Sequence, residues 1–211
     1  MRTGLFYDTE TTGLPLFSEP SEHPGQPHIV QLAAALADLD TEQTIASMDV
    51  IIRPNGWTIP DDVAQIHGIT TEHAMDVGIP EELALYMFME LWMGRNRIAH
   101  NETFDARIIR IALKRYHDPR EESLAVPPSD VWKAGASECT ARMSTPILNL
   151  PPTEKMVAAG RKHAKTANLG EAYQYFSGKP LKNAHSAMAD VQACMFIYFA
   201  MRKAAKIAEA A

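Results

Sequence analysis

Asp8 and Glu10 stand one residue apart where the apolar run Gly4-Leu5-Phe6-Tyr7 ends, with Thr9 between them. Successive side chains of a β-strand alternate faces, so both carboxylates would project from one face and Thr9 from the other. Like charges this close repel, and a half-buried setting strengthens the repulsion. Either one acid keeps a proton or a cation lies between them. Oxygen ligands of this kind suit hard cations such as Mg²⁺ or Mn²⁺. An acidic turn is the competing reading, so the pair needs further acids before it counts as a metal site.

Two further acids have the right setting. Asp105 heads an apolar stripe of Ile108, Ile109, Ala112 and Tyr116, and Asp190 heads a second of Ala193, Cys194, Ile197 and Met201. Both stripes follow the spacing of one helix face. An acid on a core-facing stripe is costly unless it is paired or ligating. A first-turn acid favoured by the helix dipole would explain each Asp separately, but finding two that face inward favours a shared site. His100 and His185 each lie five residues before one of these acids. Five residues turn a helix by about 500°, so each histidine belongs to the approach to its helix rather than to the acid's face. A helix N-terminus biases imidazole towards the neutral form that a general base requires. Spacing leaves open which histidine is the base, and either could instead be a ligand or a structural residue.

The elements that must hold these groups can be read in outline. The first strand is followed by Ile29 to Leu39 and Thr44 to Arg53, an expected hairpin whose second half ends at Pro54-Asn55-Gly56. Leu32-Ala33-Ala34-Ala35-Leu36 would also suit a helix by propensity, and its place between strand signals tilts it to strand. Helices are expected over Pro80 to Met93, Thr103 to Tyr116, Thr166 to Phe176 and Ala187 to Ile207, with a short strand Arg97 to His100 before the second. Such an order makes a layered α/β domain, and 211 residues form one domain over 1–211. Pro15 to Pro27, Pro119 to Pro128 and Pro146 to Pro152 read as surface loops, since proline interrupts helices and ladders.

Composition narrows the class. Hydrophobic residues at 46% and charged residues at 22% are ordinary for a soluble globular protein. No apolar stretch reaches signal-peptide or membrane-span length. Cys139 and Cys194 are too few for a disulfide framework and do not have zinc-site spacing, so a reduced, cytoplasmic protein is expected. The net charge of −6 argues mildly against a general nucleic-acid binder. Lys155 to Lys182 nevertheless carries Lys155, Arg161, Lys162, Lys165, Lys179 and Lys182 against Glu171 alone. A basic face beside an acidic pocket would suit a polyanion held against a cation-filled site, and a solvated loop surface is the alternative. Tyr173, Tyr175 and Phe176 in that region are expected to be core residues rather than stacking platforms.

Asp8-Thr9-Glu10-Thr11-Thr12-Gly13-Leu14-Pro15, His100-Asn101-Glu102-Thr103-Phe104-Asp105 and His185-Ser186-Ala187-Met188-Ala189-Asp190 occur in order, and with them the chain resembles the DEDDh family of 3′–5′ exonucleases. The resemblance runs from about residue 3 to about residue 200. A sister branch has tyrosine where His185 stands, so the His-x4-Asp ending selects the branch. Ile66-His67-Gly68-Ile69-Thr70 resembles a further family segment, weak by itself.

The resemblance implies a ribonuclease-H-like mixed sheet of about five strands, the first three antiparallel, flanked by helices. It implies that Asp8, Glu10, Asp105 and Asp190 hold two Mg²⁺, with Mn²⁺ able to substitute, and that His185 is the general base. Asp8 would bridge both cations, Glu10 and Asp190 would complete the site for the attacking water, and Asp105 would serve the other cation. His100 then has a structural or supporting role. Thr11, Gly13, Asn101 and Phe104 would contribute to the substrate groove. Leu14 and Ile69 match positions that wedge against the terminal base, whereas His67 would cap a turn with Gly68. The activity implied is hydrolysis from the 3′ end of DNA, single-stranded or frayed, releasing nucleoside 5′-monophosphates.

An exoribonuclease or oligoribonuclease with the same chemistry is the nearest rival, since no motif reports contacts to the 2′-OH. A non-haem iron site of two histidines and one acid fits less well than four acids with one base. An inactive nucleic-acid-binding or replisome-tethering module would lack a carboxylate or the base, and all five are present. The partner implied is the 3′ end of a nucleic acid and not a membrane. No polymerase-like segment follows the last helix, so a polymerase would associate non-covalently, and a homodimer is the other assembly considered. The long Pro15 to Pro27 loop, the Cys139-Thr140-Ala141-Arg142 helix and the basic Lys155 to Lys165 segment depart from many members. That first loop, directly after the first motif, could shape or cover the site.

Overall fold

A computed structural model describes residues 1–116 and 129–209, so the expected loop at Pro119 to Pro128 lies outside the described residues. Strand β1 (Thr3–Thr11) pairs antiparallel with β2 (Ile29–Asp38), and β2 pairs antiparallel with β3 (Thr44–Ile51). The chain continues through α1 (Asp61–His67), α2 (Thr71–Val77), α3 (Glu81–Trp92), β4 (Asn96–Ala99), α4 (Glu102–Tyr116), α5 (Ser129–Ala134) and β5 (Ser137–Cys139). It closes with α6 (Thr140–Leu148), α7 (Glu154–Ala158), α8 (Leu169–Ser177) and α9 (Ala187–Glu209). Strand order is β3-β2-β1-β4-β5, with β4 parallel to β1 and β5 parallel to β4. This is the expected mixed sheet, antiparallel over its first three strands.

Alternation along β1 divides the core in two. Leu5 and Tyr7 face a cluster with Phe88 and Trp92 of α3, Ile108 and Ile109 of α4, and Trp132 of α5. Phe6 faces the other way, onto Val191, Cys194, Tyr198 and Phe199 of α9. Each such fully buried large side chain contributes roughly 1.5–3 kcal/mol. Ala33, Ala35 and Ala37 of β2 lie on the α9 side, where their small side chains let the helix lie close to the sheet. Burial on both faces therefore overrides the helical propensity of Leu32 to Leu36, and the segment is a strand as expected.

Several local expectations change. Pro146, expected in a loop, lies inside α6 near its end, and Asn149 stops the helix in a left-handed conformation at φ 45°. The missing amide there affects only one turn at an exposed position. Helix α8 begins at Leu169 rather than Thr166, because Asn168 and Glu171 form a reciprocal capping box. Tyr173 and Phe176 pack against Ala172, Ile197 and Met201 as expected of core residues, but Tyr175 is 57% exposed. Helices α1, α2, α5 and α7 are too short to show a periodic signal. No helix among the described residues is long and apolar enough to cross a membrane.

Candidate active site

Three elements bring carboxylates to the C-terminal end of β1. Asp8 and Glu10 share the β1 face that packs on α9, as alternation requires. Thr9 points to the opposite face and meets α4. Its amide and hydroxyl both donate to Asp105 Oδ1, at 3.1 and 2.7 Å, and this fixes an acid that is only 3% exposed. Asp190, in the first turn of α9, accepts a hydrogen bond from the His185 amide at Oδ2, 3.2 Å away. Its other oxygen, Oδ1, is buried and has no hydrogen-bond partner. One potential ligand atom from each of Glu10, His185 and Asp190 falls within 4.8 Å of the others.

The electrostatics match that crowding. Burial, then the charges of Asp105, Asp190 and Glu10, hold the Asp8 carboxyl well above the usual carboxylate range. Burial and Asp190 raise Glu10 to about 7. Burial raises Asp105 to about 7 against the opposing hydrogen bonds from Thr9. Asp190 is raised by burial, with the His185 amide and the His185 charge opposing. Four acids held up together, with one orphaned oxygen among them, form an oxygen-rich donor set suited to hard divalent cations. The residues present therefore fit the metal ions that the sequence implies.

The histidines separate. His100 is pinned on both ring nitrogens, with Nδ1 2.9 Å from the Thr140 hydroxyl and Nε2 3.1 Å from the Ala167 carbonyl. A carbonyl only accepts, so Nε2 carries the hydrogen, and burial lowers the pKa of the ring against the raising effect of Ala167. His185 is exposed and takes a left-handed backbone at φ 67°, just before α9. His67 accepts the Ile69 amide at Nδ1 over 3.1 Å, the turn-capping contact, while Gly68 ends α1 at φ 77°. His67 also lies close enough to His185 for that charge to add to burial in lowering its pKa.

The candidate groove residues divide as well. Leu14 is 74% exposed directly after the first motif, and Asn101 is exposed with φ 65°. Thr11 is buried, its hydroxyl donating to the Gly13 carbonyl at 2.8 Å, so its side chain is committed to shaping the turn. Phe104 is half-buried against the α3–α4 core. Ile69 is 7% exposed and packs with Val30, Ile59 and Ala74. The Pro15 to Pro27 loop does not hang free over the site. It docks along α4, where Arg107 Nη2 donates to the Leu16 and Glu19 carbonyls at 3.0 Å each. Arg110 Nε donates to Ser21 Oγ at 3.1 Å, and Lys114 pairs with Glu22 at 2.9 Å.

Two positioning residues escape sequence reasoning. Thr9 has a partial signal, since alternation already sends it to the opposite face. Gln31, paired across the sheet with Glu10, accepts the Ala187 amide at 3.1 Å and donates to Asp49 at 2.7 Å, which anchors the start of α9. Nothing local in the sequence marks it.

The exonuclease family model RNase_T matches residues 5–198. No curated protein matches the chain. E. coli exonuclease I in complex with a dT13 oligonucleotide is similar in structure, with a TM-score of 0.67 and 20% identity over 94% of this chain and 40% of that one. The zinc-bound form of its complex with single-stranded DNA gives a TM-score of 0.66 and 19% identity over 96% and 41%. These likenesses are in fold, and the chain spans about 40% of the length of the exonuclease I chains. A family match over residues 5–198 makes the chain a member of the exonuclease family, and the His-x4-Asp ending places it in the DEDDh branch.

Proposed function

We propose that the protein is a metal-dependent 3′–5′ exonuclease that hydrolyses the terminal phosphodiester bond of single-stranded or frayed DNA and releases nucleoside 5′-monophosphates. The observation that carries this reading is the convergence of Asp8, Glu10, Asp105 and Asp190, with Asp190 Oδ1 buried and unpaired. Divalent cations, two Mg²⁺ in this reading with Mn²⁺ able to replace them, would polarise the scissile phosphate and stabilise the leaving 3′-oxyanion. The four carboxylates would hold them.

The chain's own groups supply the rest. Exposed His185 takes a proton from water as the water oxygen attacks phosphorus and the bond from phosphorus to the 3′-oxygen breaks. The freed 3′-oxygen then takes a proton from solvent. The bond from the His185 amide to Asp190 ties the base to a carboxylate of the same cage. Leu14 presents an apolar surface to the terminal base, and Asn101 lies exposed at the head of α4. DNA is favoured over RNA because the structurally similar exonuclease I is bound to a DNA oligonucleotide.

A 5′-labelled ladder of single-stranded DNA and RNA, run with Mg²⁺, Mn²⁺ or EDTA, tests the reading. Products should shorten from the 3′ end, DNA faster than RNA, with no cleavage in EDTA. Shortening from the 5′ end, or cleavage in EDTA, would overturn it. His185→Ala should fold and bind Mn²⁺ but lose turnover by about 10²–10⁴. Near-normal turnover would remove His185 as the base.

A further inference from the structure

We infer that the face of α4 beyond Asp105 is a subsite for the nucleic-acid strand on the 5′ side of the scissile nucleotide, with Phe17 as the base platform and Arg107, Arg110 and Lys133 as the phosphate contacts. This inference rests on the exonuclease reading above. A cavity of about 380 Å³ opens between α4, α5 and the Pro15 to Pro27 loop, and these four residues line it with Arg97 and Glu102.

The charge of the cavity is one-sided. Glu102, the carboxylate in its wall, is already held by Arg97 Nε at 2.7 Å and by the Tyr7 hydroxyl at 3.4 Å. Among the described residues neither Arg107 nor Arg110 has a carboxylate at ion-pair distance. Their hydrogen bonds go to the Leu16 and Glu19 carbonyls and to the Ser21 hydroxyl, all neutral groups, and the Glu22 carboxylate on which the Arg110 charge acts is itself paired with Lys114 at 2.9 Å. Arg107 Nε is buried with no partner at all. Guanidinium groups in this state suit phosphate oxygens.

An aromatic platform stands beside that charge. Phe17 is 67% exposed, and its ring is held by the Arg107 guanidinium 5.2 Å from the centroid. An exposed aromatic ring among cations is how single strands are held without sequence preference, by base stacking and phosphate pairing together.

Phe17 follows Leu14 by three residues, on the loop that leaves the Asp8–Glu10 strand. Arg107 lies within one turn of Asp105, on a face of α4 turned away from it. Leu14 and Phe17 thus set the candidate wedge and the cavity wall on one loop.

The test compares substrates by length. Wild-type protein should show a lower KM for a single-stranded 15-mer than for a dinucleotide, at similar kcat. In Phe17→Ala and Arg110→Gln the KM for the 15-mer should rise about tenfold towards the dinucleotide value. Arg110→Lys should restore most of the loss by restoring charge. The salt dependence of 15-mer binding should flatten in Arg110→Gln by about 0.7 in log–log slope, one phosphate contact. A length advantage and salt slope retained in both variants would overturn the subsite while leaving the exonuclease reading intact. Absence of 3′ cleavage by wild-type protein would instead overturn that reading.

Discussion

At the scale of single residues, Thr9 organises chemistry without performing any. Its hydroxyl and amide both converge on Asp105 Oδ1, so one strand residue sets the angle at which α4 presents its acid. Asp8 stands in the opposite situation, since burial and three neighbouring acids all disfavour its charge. Such crowding opposes folding, a cost that bound cations would offset, in a trade between stability and function. Asp8→Asn keeps the shape and removes one charge. Without metal it should stabilise the fold by about 1–2 kcal/mol, a rise of roughly 2–8 °C in Tm. Calorimetry should then show Mn²⁺ raising the wild-type Tm and leaving that of Asp8→Asn unchanged. A metal-free variant that melts below wild type would mean that repulsion at Asp8 is not a net cost.

At the scale of elements, the start of α9 decides whether Asp190 and His185 meet the strand acids. Gln31 holds that start by accepting the Ala187 amide, and its own amide is braced by Asp49. Gln31→Leu leaves that helix amide without its acceptor in a buried place, which costs about 1–3 kcal/mol. Denaturant melts should show that loss, and turnover should fall further than the Tm shift explains, because Asp190 and His185 lose their common anchor. Unchanged turnover would place the anchor elsewhere. The helices themselves were legible where an apolar stripe runs three turns or more, as on α4 and α9. Short α1, α2, α5 and α7 were not, because five to seven residues hold too little periodicity to separate helix from loop. The docking of the Pro15 to Pro27 loop was also hidden. It depends on arginines some ninety positions later and on buried Gln26, whose amide donates to the Leu16, Glu19 and Pro20 carbonyls.

At the scale of the molecule, Glu81 joins parts far apart in the chain. Buried at the start of α3, it accepts the Ile29 amide at 2.9 Å, His28 Nδ1 at 2.8 Å, Arg115 at 3.2 Å and the Tyr116 hydroxyl at 2.9 Å. Burial alone would raise its pKa, but the His28 hydrogen bond and the charge of Arg115 outweigh burial and bring it below the ordinary 4.5. A lowered carboxylate pKa means that the unfolded chain takes up the proton first as pH falls. The stability these contacts supply is therefore present above about pH 4.5 and disappears as pH drops through the lowered value. Glu81→Gln should lower Tm at neutral pH and flatten the fall in Tm between about pH 6 and about pH 3. A wild-type profile in the variant would mean that another group controls acid unfolding.

Asp8, Glu10, Asp105 and Asp190 were legible in the amino-acid order because each is defined by local geometry, alternation on a strand or the head of a helical stripe. The same local rules placed three antiparallel strands and the two long helices that carry the last acids. The chain by itself thus determined which faces bear charge and that these acids need either a shared proton or a cation among them. Only the tertiary structure decided how those faces meet. It put Thr9 on Asp105 across 96 positions and Gln31 on Ala187 across 156, buried Ile69 and gave Phe17 its arginine. Local periodicity carries no information about such pairings, because they are set by how separate layers pack on the two faces of one sheet.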